Sequence, residues 1–287
     1  MARVVCAGHV NWDVTLRVDR LPEPDGEASI RAQHQSGGGS ASNAAVTLAG
    51  LGVDTHLLGS VGADEHGQRA RRELRDSGVE THLVEGAAQT AVKYLVVGDE
   101  GEVFVLGNEG GNEAFVADDL PASALADADV LHLTNQAPAT ASALATRAVD
   151  AGVTVSFDPG RRLTDRDYDA TLAQTDVLFV NRRERERGKR FDAVPLVVEK
   201  RGPDGAVVHA EDRRIDHPGF VVDSVDTTGA GDAFAAGFLV ARLRDEDLEA
   251  SLAIGNACGA LATRSIGAHL DVEWSDVEAV LDAGPAQ

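Results

Sequence analysis

Val130-Leu131-His132-Leu133-Thr134, an Ala-rich run from Ala139 to Ala151 stopped by Gly152, and Val153-Thr154-Val155-Ser156-Phe157 stand in direct succession. The outer runs are short and apolar, and the middle run is long enough for a helix. Together they read as a βαβ unit, which demands parallel strands. The same rhythm extends both ways. Arg3 to Ala7 and Thr55 to Val61 read as strands, with a helix from Ala41 to Ala49 between them that Gly50 and Gly52 end. Glu65 to Asp76 reads as a charged surface helix. Val177 to Val180 and Leu196 to Glu199 read as further strands, and Gly229 to Leu243 and Leu248 to Thr263 as two closing helices. The expected fold class is α/β, with a mostly parallel central sheet between helical layers.

Two stretches break the rhythm. Asp13 to Val18 and Ala28 to His34 look like strands with no helix between them. Ala91 to Gly107 reads as a hairpin around a Gly98-Asp99-Glu100-Gly101 turn. Strands without covering helices do not belong inside a parallel sheet. They predict a small β-sheet lid, built from segments within about 13–34 and 90–107, on one domain spanning 1–287.

Charge narrows the partners. Lys+Arg 26 against Asp+Glu 47 leaves a net charge of −21. Lysine occurs only at 93, 189 and 200, so 23 of the basic residues are Arg. This excess repels nucleic acid and anionic membrane. Spread over the chain, it reads as the solvated coat of a halophilic protein rather than as a binding tail. No apolar run approaches the roughly 18 residues of a membrane span, and Met1 to Gly8 reads as a first strand rather than a signal peptide. Cys6 and Cys258 read as two buried free thiols in a reducing cytoplasm.

The strongest chemical signal is Asp226-Thr227-Thr228-Gly229-Ala230-Gly231-Asp232-Ala233-Phe234, a glycine turn entering a helix. Helix N-termini expose free N–H groups and a positive dipole end. Gly229 and Gly231 let an anion approach that backbone. Asp232 beside it can take a proton from a hydroxyl, which gives the positioning, charge stabilisation and base of phosphoryl transfer. The second signal is Gly37-Gly38-Gly39-Ser40-Ala41-Ser42-Asn43, followed by Gly59, Gly62, Asp64 and Gly67. Here Asn43 offers a donor and an acceptor to a hydroxyl, or else Ser42 or Asn43 is an N-cap.

These two strings resemble the signatures of the pfkB-type carbohydrate kinases, the ribokinase family, and the resemblance covers essentially the whole chain. It implies a ribokinase-like three-layer α/β/α fold and ATP-dependent phosphorylation of a small sugar hydroxyl. It implies Asp232 as catalytic base, with the Gly229, Ala230 and Gly231 backbone as anion hole. Asn11, Asp13, Gly38, Gly39 and Asn43 fall on the sugar side. Asn181 and Glu184 match an Asn-x-x-Glu element that organises Mg²⁺, with Glu184 acting through water. Gly202 and Gly205 fall on the nucleotide-side turn, and Asn256 faces the adenine. Asp226 and Thr228 fall near a monovalent cation site, K⁺ in a salt-accumulating cell. A homodimer through the lid is implied as well.

This sequence departs from ribokinase proper at Ser40, where a Lys is expected, which puts ribose itself in doubt. Arg161 and Arg162 follow a strand end and suit a sugar acid, a sugar phosphate, nucleotide phosphate or surface ion pairs. Lys93 and Tyr94 suit sugar contact or packing of the lid. Nucleoside kinase, sugar-acid kinase of the 2-keto-3-deoxygluconate type and a non-catalytic sugar- or nucleotide-binding regulator remain alternatives. No Gly-x4-Gly-Lys-Ser/Thr exists, and no Gly-x-Gly-x-x-Gly follows the first strand, so P-loop and dinucleotide-binding readings fit poorly.

Overall fold

The computed structural model describes residues 1–99, 102–187, 191–210 and 213–286. In chain order its strands are β1 (Arg3–Ala7), β2 (Asn11–Val18), β3 (Ile30–Gly38), β4 (Asp54–Gly62), β5 (Glu80–Gly86), β6 (Ala91–Val97), β7 (Val103–Gly107), β8 (Val130–Leu133), β9 (Thr154–Phe157), β10 (Val177–Asn181), β11 (Leu196–Lys200), β12 (Ala206–Ala210) and β13 (Arg213–His217). The helices are α1 (Ser40–Gly50), α2 (Glu65–Asp76), α3 (Ala122–Ala126), α4 (Pro138–Asp150), α5 (Asp169–Leu172), α6 (Arg182–Arg187), α7 (Ala230–Leu243), α8 (Leu248–Ala262) and α9 (Trp274–Ala283).

Nine strands form the central sheet in the order β13-β12-β11-β10-β9-β8-β1-β4-β5. It is parallel from β11 to β5, and β12 and β13 close one edge antiparallel. Alternation along each strand feeds two cores. Val4, Cys6 and Phe179 face the layer of α1, α7 and α8, while Val5, Ala7, Leu178 and Val180 face the layer of α4. Side chains of a strand alternate between faces, so this two-sided burial is what makes three layers. Both cysteines are free and buried, and burial pushes the Cys258 thiol up to about 12. Among the described residues no helix is long and apolar enough to cross a membrane.

The chain order reverses at β1. Successive strands run outward through β4 and β5 on one side and through β8 to β11 on the other. Open α/β sheets bind ligands beyond the strand ends at such a switch point. Here the chain passes tightly: a Cβ on Gly8 would lie 2.0 Å from Thr134 Oγ1.

A second sheet holds the strands without helices, in the order β3-β2-β6-β7. Its strands run further toward the body than the residue pattern suggests. β2 starts at Asn11 rather than Asp13, and β3 ends at Gly38 rather than His34, with Asn11 opposite Gly38 and Asp13 opposite Ser36. Glycines are poor strand formers, but Gly37 and Gly38 are held here by pairing with β2. Of the expected hairpin turn, Glu100 and Gly101 lie outside the described residues, as does Lys189.

Candidate active site

Two glycine turns meet at one hydrogen bond. α1 starts after Gly39, whose φ of 99° only glycine adopts readily. A Cβ there would lie 2.4 Å from the His9 carbonyl, and one on Gly38 would lie 2.3 Å from Asp13 Oδ2. These two glycines let β2, with Asp13, press against the start of α1. No side chain caps α1. Ser42 and Asn43 lie inside the helix with buried side chains, so the N-cap alternative fails. Asn43 instead donates from Nδ2 to Asp232 Oδ2 at 2.7 Å, joining motifs 189 residues apart.

Asp232 sits in the first turn of α7, after Gly229 in the left-handed region at φ 78°. Ala268 forces that geometry, because a Cβ on Gly229 would lie 2.4 Å from its carbonyl. The Asp232 carboxyl is so enclosed that burial pushes it up to about 6. The charge of Asp158 adds to the rise, and Lys200, Asn43 and Lys93 oppose it. Its own amide donates to the Gly229 carbonyl at 3.0 Å, while Ala230 reaches the Thr227 carbonyl only at 3.3 Å. The amides of Gly229 and Gly231 have no protein acceptor among the described residues.

Beneath this turn lies a residue the sequence reading did not single out. Lys200, at the end of β11, donates to Asp158 Oδ2 at the end of β9. A Cβ on Gly231 would lie 3.3 Å from Lys200 Nζ. Burial works against the ammonium, but Asp158, Asp232 and Glu184 together raise its pKa above the ordinary lysine value. Glu184 is buried at the start of α6. It takes hydrogen bonds from Asn181 N at 2.8 Å and Asn181 Nδ2 at 2.6 Å, and burial, with the charge of Asp158, raises it. Three carboxylates thus share one ammonium. Among the described residues no three His, Cys, Asp or Glu side chains converge to hold a metal directly. The surplus negative charge fits a magnesium ion held mainly by water and phosphate.

Buried polar atoms without partners include Asn11 Nδ2, Asp13 Oδ1, Asn43 Oδ1, Asn112 Oδ1 and both side-chain atoms of Gln136. Each such atom costs about 1–3 kcal/mol if nothing binds it. Asn112 donates to Asn11 Oδ1 at 2.8 Å. Asp13 is 4% exposed. Burial pushes it up to about 6, with Lys93 opposing and Asp226 adding. Asn112 and Gln136 were not singled out from the sequence, although Gly110-Gly111 and a strand end mark their places.

The remaining expected residues separate. Asp226 accepts from Thr228 N at 2.9 Å and Thr228 Oγ1 at 2.7 Å, and from Gly267 N at 3.2 Å, so it organises the approach to the turn. Gly202 has φ 62° and open space around it, whereas Gly205 is required by chain crossing, its Cβ falling 2.0 Å from the His217 carbonyl. Asn256 is tied to the Leu252 carbonyl at 2.8 Å and to His217 Nδ1 at 3.2 Å. Asp64 caps α2 and holds Thr90 at the base of β6, so the Gly59-to-Gly67 run is a scaffold for the small sheet. Arg162 pairs with Glu109. The charge of Arg161 reaches Glu184.

Residues 267–269 brace both turns. Besides the Gly267 and Ala268 contacts, His269 Nε2 lies 2.8 Å from Ser42 Oγ. A Cβ on Gly37 would lie 2.4 Å from the imidazole. Burial holds His269 at about 4, so it stays neutral near pH 7. Glu73 fixes the same hinge by accepting from Gly37 N at 2.6 Å.

The sequence profile of the pfkB family carbohydrate kinases matches residues 1–275. The chain belongs to the pfkB family. It is therefore a phosphotransferase with an alcohol acceptor. An ATP-dependent ribose-1-phosphate kinase of Halopiger xanaduensis is 57% identical over 281 residues, covering 94% of each chain. A ribokinase of Bacillus subtilis is 28% identical, over 94% of this carbohydrate kinase and 95% of the relative. Among solved structures, Arabidopsis thaliana ribokinase complexed with ribose and ATP superposes with a TM-score of 0.83 at 24% identity, covering 98% of this chain and 99% of that one.

Proposed function

We propose that this pfkB kinase transfers the γ-phosphoryl group of ATP to a free hydroxyl of ribose 1-phosphate. The observation that carries the chemistry is the Asn43–Asp232 hydrogen bond, which sets a carboxylate beside a glycine turn with free amides. The acceptor follows from the relative at 57% identity, against 27% for a Methanothermobacter thermautotrophicus nucleoside kinase.

In this reading Asp232 takes the proton of the acceptor hydroxyl, and its carboxyl, at about 6, is a charged base at neutral pH. Asp13, Asn11, Asn43 and the Gly38–Gly39 backbone hold the remaining hydroxyls, which satisfies the orphaned atoms around them. The Gly229 and Gly231 amides receive the phosphoryl charge. Glu184 and Asn181 would hold the water shell of a magnesium ion, which would supply charge neutralisation to the phosphates. Gly202, Gly205 and Asn256 border the nucleotide. The small sheet acts as a lid that excludes water, on a single kinase domain. Asp226 and Thr228 would border a K⁺ ion. The acidic coat suits a salt-rich cytoplasm, and the two free thiols fit a reducing one.

The test is a phosphorylation screen in high KCl over ribose 1-phosphate, ribose, hexoses, sugar acids and nucleosides, repeated in NaCl and choline chloride at matched ionic strength. Ribose 1-phosphate is expected to give the highest kcat/KM, and KCl the highest rate. A nucleoside or sugar acid turned over better than ribose 1-phosphate would replace this acceptor. Equal rates in the three salts would remove the cation.

The lid also supports a homodimer. Val103, Phe104, Val105 and Leu106 on β7 are each more than half exposed, on an edge strand open to pairing. Sedimentation is expected to give a dimer that Phe104→Glu converts to a monomer. A monomeric native protein would refute it.

A further inference from the structure

We propose that Lys93 determines acceptor specificity: its ammonium, carried on the small sheet, binds the acceptor's own phosphate while a free hydroxyl faces Asp232. This rests on the reading of the acceptor as a sugar phosphate.

The cleft gives the reason such a cation is needed. Asp13, Asp158, Glu184 and Asp232 border it, and a dianionic acceptor entering among them is repelled unless a cation meets its phosphate. Two lysines reach Asp232 electrostatically, Lys200 and Lys93. Lys200 is buried and committed to Asp158. Lys93 is exposed and has no hydrogen-bond or ion-pair partner among the described residues.

Its placement follows from strand pairing. β6 runs parallel to β2 with Lys93 opposite Asp13, and neighbours across a sheet share a face. Lys93 therefore stands on the same face as Asp13, whose unpartnered Oδ1 marks the acceptor pocket. Its charge acts on both Asp13 and Asp232, so it spans the pocket from the lid side. The rarity of the residue supports a specific use. In a chain with only three lysines, the two whose surroundings are described both reach Asp232. Elsewhere Arg serves for surface charge. An ammonium is a compact point charge with three rotatable donors, which suits a phosphate whose orientation changes as a lid closes. Arg162 and Arg166 are already paired, with Glu109 and Glu113. The charge of Arg161 reaches Glu184 on the nucleotide side.

The experiment compares native enzyme, Lys93→Met, Lys93→Arg and Arg161→Met by kcat/KM for ribose 1-phosphate and for ribose, and by KM for ATP. Lys93→Met is expected to lose roughly 10- to 100-fold on ribose 1-phosphate, the range for a charge-assisted contact, and far less on ribose, which feels only the loss of one cation near Asp13 and Asp232, with KM for ATP unchanged. Lys93→Arg is expected to regain most of the loss. A preference for ribose 1-phosphate over ribose that survives in Lys93→Met, or that disappears in Arg161→Met instead, overturns the proposal. If the native enzyme fails to phosphorylate ribose 1-phosphate at all, the functional reading fails. Calorimetric titration with ribose 1-phosphate and inorganic phosphate then decides Lys93 separately. Binding that Lys93→Met abolishes upholds it, and equal binding, or none, in both proteins overturns it.

Discussion

Asp232→Asn is expected to lower turnover by a factor on the order of 10²–10⁴, the usual contribution of a positioned general base, while nucleotide binding is kept. Asparagine fills the same space and can still accept from Asn43, so the two glycine turns stay joined. What disappears is the proton acceptor. The pH profile provides an independent check. Burial and the charge of Asp158 push the Asp232 carboxyl up to about 6, so kcat/KM of the native enzyme should fall as pH drops through that value. Asp13 is pushed to about 6 by burial as well, so the acid limb should be steeper than one proton predicts. In Asp232→Asn that limb should shrink to the single step of Asp13. The variant should also unfold at higher temperature than the native protein at pH 8. A carboxyl raised by folding favours the folded state while protonated and opposes it once ionised, so the opposition is complete above about pH 6. An Asp232→Asn enzyme with native turnover and a native acid limb would remove this residue from the reaction.

The parts of this molecule that were legible in its sequence are those with local causes. The βαβ periodicity from Val130 to Phe157 needs only alternation, a helix and a stop at Gly152. The turn before α7 carries its glycines and its acid within nine residues. β5 and β13 escaped because edge strands are half exposed, and residues such as Glu80, Arg213 and Arg214 carry no apolar run; β12 lies inside the sheet, but its buried apolar run is only Ala206, Val207 and Val208, too short to announce a strand. α9 was missed for a related reason, since only Val277 and Val280 of it are buried. In the site, local sequence could suggest Asn43 as either a cap or a ligand. Only the tertiary approach of α7 decides between them. Lys200 and Asp158 belong to two different strands, and nothing within five residues of either announces the other. Their one signal was compositional: a lysine surviving in a chain built on arginine. His269 had no signal, because its role lies in packing against Gly37 and Ser42, some 230 residues earlier. Pairings of that separation are set by topology rather than by any residue's neighbours.

Lys200→Met should then carry the largest cost in stability. The ammonium and the Asp158 carboxylate are 15% and 7% exposed, and Glu184 and Asp232 add two more carboxyl groups within electrostatic reach. Methionine fits the channel beside Phe179 but leaves Asp158 charged and unpaired. Breaking a buried pair from one side costs about 3–5 kcal/mol, which at roughly 2–4 °C per kcal/mol lowers the unfolding midpoint by on the order of 10 °C. The folded-state pKa of Lys200 lies above its ordinary value, so the stabilisation lost is present at neutral pH and fades only as pH rises past the lysine range. Thermal scans at pH 7 therefore see it in full. Lys200→Met with Asp158→Asn should recover most of the midpoint, because no charge is then stranded. The same single variant also removes the main cation opposing the rise of Asp232, so the acid limb of its activity should move to higher pH. A Lys200→Met protein with a native midpoint and an unmoved limb would mean that the pair neither holds the strand ends together nor tunes the base.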